Sequence, residues 1–91
     1  MSGPARYTVF LKPAAERALK KMAQPTLRRI AKAIGNLGHD PRPAGATALQ
    51  GEYGLLRIRV GDYRIIYSID DTVLTVLVVA IGHRREVYQR R

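Results

Sequence analysis

The strongest chemical signal in the chain is a set of arginines, Arg57, Arg59 and Arg64, on either side of Gly61-Asp62. The segments Leu55–Val60 and Tyr63–Ile69 are rich in branched and aromatic residues, so they read as two strands. Gly61-Asp62 between them suits a type II′ or I′ turn. A two-residue loop fixes the register: Val60 lies opposite Tyr63, Arg59 opposite Arg64, Ile58 opposite Ile65, Arg57 opposite Ile66 and Leu56 opposite Tyr67. Side chains alternate between the faces of a strand. Leu56, Ile58, Val60, Tyr63, Ile65, Tyr67 and Ile69 therefore share a core face, and Arg57, Arg59 and Arg64 share the other.

Two arginines directly opposite each other repel. The arrangement makes sense if an anion neutralises it, and phosphate fits because the guanidinium fork binds it bidentately. The alternative is that Asp62, Glu52 or Glu86 folds back and pairs with them. A second basic group follows the last strand, in Gly82-His83-Arg84-Arg85-Glu86-Val87-Tyr88. That strand is expected to deliver Arg84 or Arg85 near the same surface. Tyr88 offers a ring to stack on an exposed base, or else packs the C-terminus together with Val87. His83 is either a proton shuttle or a strand-end residue with no task, and the second reading is the simpler.

Other chemistry finds little support. The chain has no cysteine and only His39 and His83 as histidines, without clustered carboxylates, so no metal site is expected. Asp70-Asp71 are adjacent in a turn and do not form an acid–base pair. There is no glycine-rich phosphate loop and no Ser-His-Asp set. No cofactor is expected, and an enzyme built on this chain works with arginines.

Composition agrees. The chain has 16 Lys and Arg against 7 Asp and Glu, a net charge of +9 on 91 residues. Such an excess favours a polyanionic partner: RNA, DNA, an acidic protein or a membrane surface. Residues 1–53 carry 9 basic and 3 acidic groups, and residues 54–91 carry 7 and 4, so the charge sits on folded elements and not on a tail. A hydrophobic content of 46% is that of a folded domain. The absence of cysteine fits a reducing cytoplasm. The apolar run Val73–Ile81 is too short to span a bilayer, and Met1–Arg6 has no apolar signal core.

The remaining elements must position the arginines. Tyr7, Val9 and Leu11 alternate with Thr8 and Phe10, which predicts a first strand. Pro13 suits the first turn of a helix over Pro13–Ala23. Gln24-Pro25 breaks the run and opens a second helix with the stripe Leu27, Ile30, Ala31, Ile34 and Leu37, stopped by Gly38. The outer faces of this helical hairpin carry Arg17, Lys20, Lys21, Arg28, Arg29 and Lys32. They form either a second contact surface, for a nucleic acid or an acidic partner segment, or a solvated face. His39–Gly54 reads as a loop pinned by Leu49. Thr72–Ile81, apolar on both faces, reads as a central strand covered on each side. The expected architecture is a single α+β domain over residues 1–91, in the order β-α-α-β-β-β, with the helical hairpin packed on one face of an antiparallel sheet.

In this order and spacing, Leu49-Gln50-Gly51, Leu56-Arg57-Ile58-Arg59-Val60, Gly61-Asp62-Tyr63-Arg64-Ile65-Ile66-Tyr67 and Ile81-Gly82-His83-Arg84-Arg85-Glu86-Val87-Tyr88 make the chain resemble the RelE toxins of bacterial type II toxin–antitoxin pairs. The resemblance covers nearly the whole chain. It implies a metal-free, ribosome-dependent endoribonuclease that cuts messenger RNA in the ribosomal A site. The ribose 2′-hydroxyl attacks the adjacent phosphate and leaves a 2′,3′-cyclic phosphate and a 5′-hydroxyl. It also implies a cognate antitoxin that covers or distorts the active region in a heteromeric complex, and no membrane partner.

By position, Arg57 and Arg59 fall where family members have lysines, one of which assists removal of the 2′-hydroxyl proton. Arginine stays protonated, so it is a poor base but a good electrostatic stabiliser. Glu52 or His83 is the candidate replacement base. The resemblance makes Arg64 a phosphate ligand, Arg84 the stabiliser of the leaving 5′-oxygen and Tyr88 the stacking platform. The related ParE toxins share the fold, lack the nuclease residues and poison DNA gyrase. A non-catalytic module that binds RNA or a protein partner is the third possibility.

Overall fold

A computed structural model describes residues 6–51 and 53–83. Two helices and five strands follow in the order β1 (Thr8–Leu11), α1 (Pro13–Lys20), α2 (Gln24–His39), β2 (Thr47–Ala48), β3 (Leu56–Val60), β4 (Tyr63–Asp70) and β5 (Thr75–His83). The strands form one sheet in the spatial order β1-β5-β4-β3-β2. The α+β class and the helical hairpin agree with the sequence reading. The sheet differs in two respects.

The sheet is mixed and not purely antiparallel, because β1 runs parallel to β5, with Thr8 opposite Thr75 and Leu11 opposite Val78. The helical hairpin carries the chain from β1 at one edge of the sheet to β2 at the other, and β3, β4 and β5 then follow antiparallel to one another until β5 lies beside β1. The segment read as a loop also contains β2, which pairs antiparallel with β3 through Thr47 opposite Arg57 and Ala48 opposite Leu56. Periodicity cannot reveal a strand of two residues.

Neither helix has a side-chain N-cap; each starts instead with proline in its first two positions, Pro13 in α1 and Pro25 in α2. Proline suits this position because its fixed φ matches the helix and its missing N–H would have been unsatisfied anyway. Ala15 from α1 and Ile30, Ile34 and Leu37 from α2 meet Ile58, Ile65, Tyr67, Val76, Val78 and Ile81 from the sheet in one core. Leu56, Val60, Tyr63 and Ile69 pack at its margin, so the core face of the β3–β4 hairpin is the one the turn predicts. In the α2 stripe, Ala31 is exposed and Ala33 packs against the core in its place.

Gly38 does not end the helix; it lies inside α2 and is buried. A Cβ there would stand 3.0 Å from the carbonyl oxygen of Tyr7, whose N–H donates to the carbonyl of Gly38 at 2.8 Å. Gly38 is present because the helix end and the start of β1 approach backbone to backbone. β5 begins at Thr75, later than the apolar run suggests, because residues 71–74 form a turn with Leu74 at φ 53. The strand is central within the sheet, but the helices cover only one face. On β5, Leu77, Val79 and Ala80 stay half-buried between neighbouring strands. A bulge between Ile66 and Tyr67 shifts the β4–β5 register and keeps both Val78 and Ile81 in the core.

Leu49 is half-buried and donates its N–H to Leu55, while buried Pro41 and the packed Ala46 fix the preceding loop. Buried Tyr67 donates its hydroxyl to the carbonyl of Pro41 at 2.7 Å.

Gly38→Ala is expected to destabilise the fold by about 1–3 kcal/mol, since backbone must move to admit the methyl group. Gly35→Ala, with nothing within 4 Å of its Cβ position, is expected to stabilise it by about 0.5–1 kcal/mol. Thermal unfolding of the two variants should therefore shift in opposite directions.

Candidate nucleic-acid interface

The turn that joins β3 to β4 sets the geometry of the arginine face. Gly61 has φ 61 and Asp62 is not among the positive-φ residues, the pattern of a type II′ turn. Its register is the one expected from a two-residue loop: Arg59 opposite Arg64, Arg57 opposite Ile66 and Val60 opposite Tyr63. Arg57, Arg59 and Arg64 thus project from the face away from the helices. Ile66, on that face too, is buried without joining the core.

The three arginines differ in exposure. Arg59 is exposed and Arg57 half-buried, whereas Arg64 is only 7% exposed and the one buried charged residue among those described. Its Nε and Nη1 lie out of reach of solvent. On the β5 side, Arg64 faces Gly82, which places no side chain beside it. A cation held this far from water interacts strongly with any charge near it.

Gly45 and Thr47 supply the opposite wall, so that Gly45, Thr47, Arg57, Arg59 and Arg64 line a cleft of about 200 Å³. Thr47 Oγ1 accepts a hydrogen bond from Arg57 Nε at 3.3 Å. Thr47 and Gly45 escape sequence reading because they belong to the segment read as a loop. The glycines Gly51 and Gly54, both at positive φ, are the sequence features that mark this connection as a turn.

Asp62 does not fold back onto the arginines. It lines a separate cleft of about 130 Å³ on the helix side, with Thr26, Arg29, Ile30, Val60 and Tyr63. His83 pairs in register with Tyr63 and meets its ring edge-on at 5.6 Å, so it shares the helix-side face of Tyr63. That placement removes His83 from the arginine cleft and from the role of base there. Glu52, Arg84, Arg85, Glu86 and Tyr88 lie outside the described residues. Among the described residues no three His, Cys, Asp or Glu side chains gather as a metal site, and no helix is long and apolar enough to cross a membrane.

The cationic residues of the hairpin helices, Arg17, Lys20, Lys21, Arg28, Arg29 and Lys32, are all exposed on the side of the sheet opposite the cleft. The β4–β5 turn is fixed separately. Arg42 grips the Asp71 carboxylate with two hydrogen bonds, at 2.9 and 3.3 Å, and the Tyr7 hydroxyl donates to the same carboxylate at 2.6 Å. This anchors the segment that leads into the Gly45–Thr47 wall.

A small α+β domain with a helical hairpin on one face of a mixed sheet is a RelE-like fold, and comparison with known proteins bears this out. The ParE toxin family of type II toxin–antitoxin systems matches residues 9–88. The toxin RelG of Mycobacterium tuberculosis is 33% identical over 85 residues, which cover 92% of this chain and 98% of that protein. The toxin–antitoxin complex RelBE2 of the same organism matches with a TM-score of 0.78 and 31% identity, over 92% of this chain and 98% of that one. The archaeal RelE–RelB complex of Pyrococcus horikoshii matches with a TM-score of 0.76 and 26% identity, over 87% and 96%. The chain belongs to the RelE/ParE superfamily of type II toxin–antitoxin toxins.

Hydrogen bonds from Arg42 and then from Tyr7 hold the Asp71 carboxyl below its usual range. A carboxylate with a depressed folded-state pKa contributes stability that is present above the unfolded value and lost as pH falls through the folded one. The melting temperature of the protein is therefore expected to fall on acidification through and below the ordinary carboxylate range. Thermal melts of Asp71→Asn across the same series should show a shallower decline and a lower starting value at neutral pH.

Proposed function

We propose that this toxin is a ribosome-dependent endoribonuclease that cuts messenger RNA and is held in check by a cognate antitoxin. The observation that carries the reading is the convergence of Arg57, Arg59 and buried Arg64 in one cleft. Such a cleft matches a phosphodiester on its way to a more highly charged, pentacoordinate state. Preorganised cations in a partly dry site stabilise that state more than the ground state.

In the proposed reaction the ribose 2′-oxygen gives up its proton and attacks the adjacent phosphorus. The bond from phosphorus to the 5′-oxygen breaks, and the leaving oxygen takes a proton. The products are a 2′,3′-cyclic phosphate and a 5′-hydroxyl, and no metal is needed. Arg64 holds the phosphate, and Arg57 and Arg59 stabilise the charge that builds on it. Arg84, the residue after His83 in the chain, serves the leaving oxygen, and Tyr88 stacks on the scissile nucleotide. The arginines stay protonated and do not act as the base. With His83 on the helix side, Glu52 is the base candidate.

The RelBE2 and RelE–RelB structures are toxin–antitoxin complexes, which supports an antitoxin as partner in a heteromeric complex. The site of action is the cytoplasm, where translated messages are. A second reading, a ParE-like inhibitor of DNA gyrase, is favoured by the name of the matching family. Gyrase binding gives no reason to gather three arginines around a phosphate-sized cleft.

Expression of the chain without its antitoxin is expected to arrest growth, with new RNA 5′ ends inside translated codons. Arg64→Ala or Arg84→Ala should lower cleavage by about 10²–10³-fold, the range for losing one oxyanion-stabilising group. Far-ultraviolet circular dichroism should show the fold retained. Full toxicity in both variants would remove these residues from the site. Intact messages accompanied by DNA damage would replace the nuclease with the gyrase reading.

A further inference from the structure

The β2–β3 connection holds the most exposed aromatic side chain of the described residues. Leu49 and Leu55 close the loop through a backbone hydrogen bond of 2.9 Å, and Gly51 and Gly54 take positive φ on either side of the tip. Tyr53 stands at that tip, fully exposed. Among the described residues it makes no hydrogen bond and no ring contact.

Two facts about its surroundings bear on what such a ring can do. First, the hairpin that carries it is a wall of the arginine cleft, since Thr47 and Arg57 belong to its two strands and face each other. Tyr53 is four residues before Arg57, a span of at most about 14 Å of extended chain. Second, the ring has no apolar neighbours in sequence, lying within Gln50-Gly51-Glu52-Tyr53-Gly54. The other exposed large apolar residues are Phe10, on β1 at the opposite edge of the sheet, and Val73 and Leu74, in the β4–β5 turn. An aromatic anchor of a protein interface sits within a ring of contacts that excludes water. A lone ring beside a groove of cations is the arrangement used to stack a base of a single strand whose phosphates the cations hold.

We propose that Tyr53 is a stacking platform for an unpaired RNA base next to the phosphate held in the arginine cleft, so that the β2–β3 tip helps to set where the strand lies. The inference rests on the nuclease reading for its ligand but concerns binding, and binding is what tests it. Tyr53 contacts a base outside the reacting phosphate and takes no part in bond making.

The chain contains no tryptophan, so Tyr53→Trp introduces a single reporter. Its fluorescence is expected to be quenched by a single-stranded RNA oligonucleotide and not by an abasic oligomer with the same number of phosphates. In parallel, Tyr53→Ala should weaken RNA binding about 5- to 100-fold, and Tyr53→Phe should keep it. The salt dependence of binding should be the same in all variants, because the ring carries no charge. RNA binding by the parent chain with no quenching, and with Tyr53→Ala binding as the parent does, overturns the stacking role and leaves RNA recognition standing. A parent chain that binds no RNA even at low salt overturns the stacking role, while the ribosome-dependent cleavage reading stands or falls on the mapped 5′ ends.

Discussion

A hairpin closed by two residues has one register, and in this molecule that register decides everything on the exposed face of the sheet. Gly61 takes the positive φ that the first central position of a II′ turn requires, so Arg59 and Arg64 stand opposite each other. A slip of one residue would carry Ile58, Ile65 and Tyr67 to the outside and the arginines into the core. The turn is also braced from behind. The guanidinium of Arg29 lies against Gly61, with Nη2 3.1 Å from where a Cβ would stand. Helix, turn and cleft are therefore linked through one small residue.

The opposed arginines survive because the other side of the same hairpin outweighs them. Like charges opposite each other on a sheet cost about 1 kcal/mol or less. Each fully buried large apolar side chain contributes about 1.5–3 kcal/mol, and the hairpin buries Ile58, Ile65 and Tyr67 on its core face. The fold can thus carry an electrostatically unfavourable surface without losing its structure. The helical face carries more cations, but all of them are exposed. The arginine cleft gathers three, one of them buried.

The sequence makes the hairpin legible because its signals are local: alternation, a turn pair and one shared face. Residues Leu56 to Ile69 fall on the sides that alternation assigns, and prolines mark both helix starts. What stays hidden depends on distant partners. The parallel pairing of β1 with β5 is not encoded in either strand. Gly38 looks like a helix stop, and its real reason is the carbonyl of Tyr7. Burial of Arg64 could not be read from its neighbours in sequence. His83 shows the same limit: its place near the basic residues in the chain suggests the cleft, and the pleat puts it on the helix side beside Tyr63.

The parallel pairing also gives the chain an order of assembly. Thr8–Leu11 is made before its partner Thr75–Val78, with two helices and three strands between them. Until then Val9 and Leu11 have no sheet to join, and the crossover helices have only part of their floor. The β3–β4 hairpin is a local structure and closes early, whereas long-range pairings of this kind form late because a large loop must first be ordered. Gly82, the residue beside Arg64, lies near the end of that same final strand. A chain that stops before β5 thus possesses the arginines without the rigid support that gathers them, and the basic cleft takes shape only once β5 is in place.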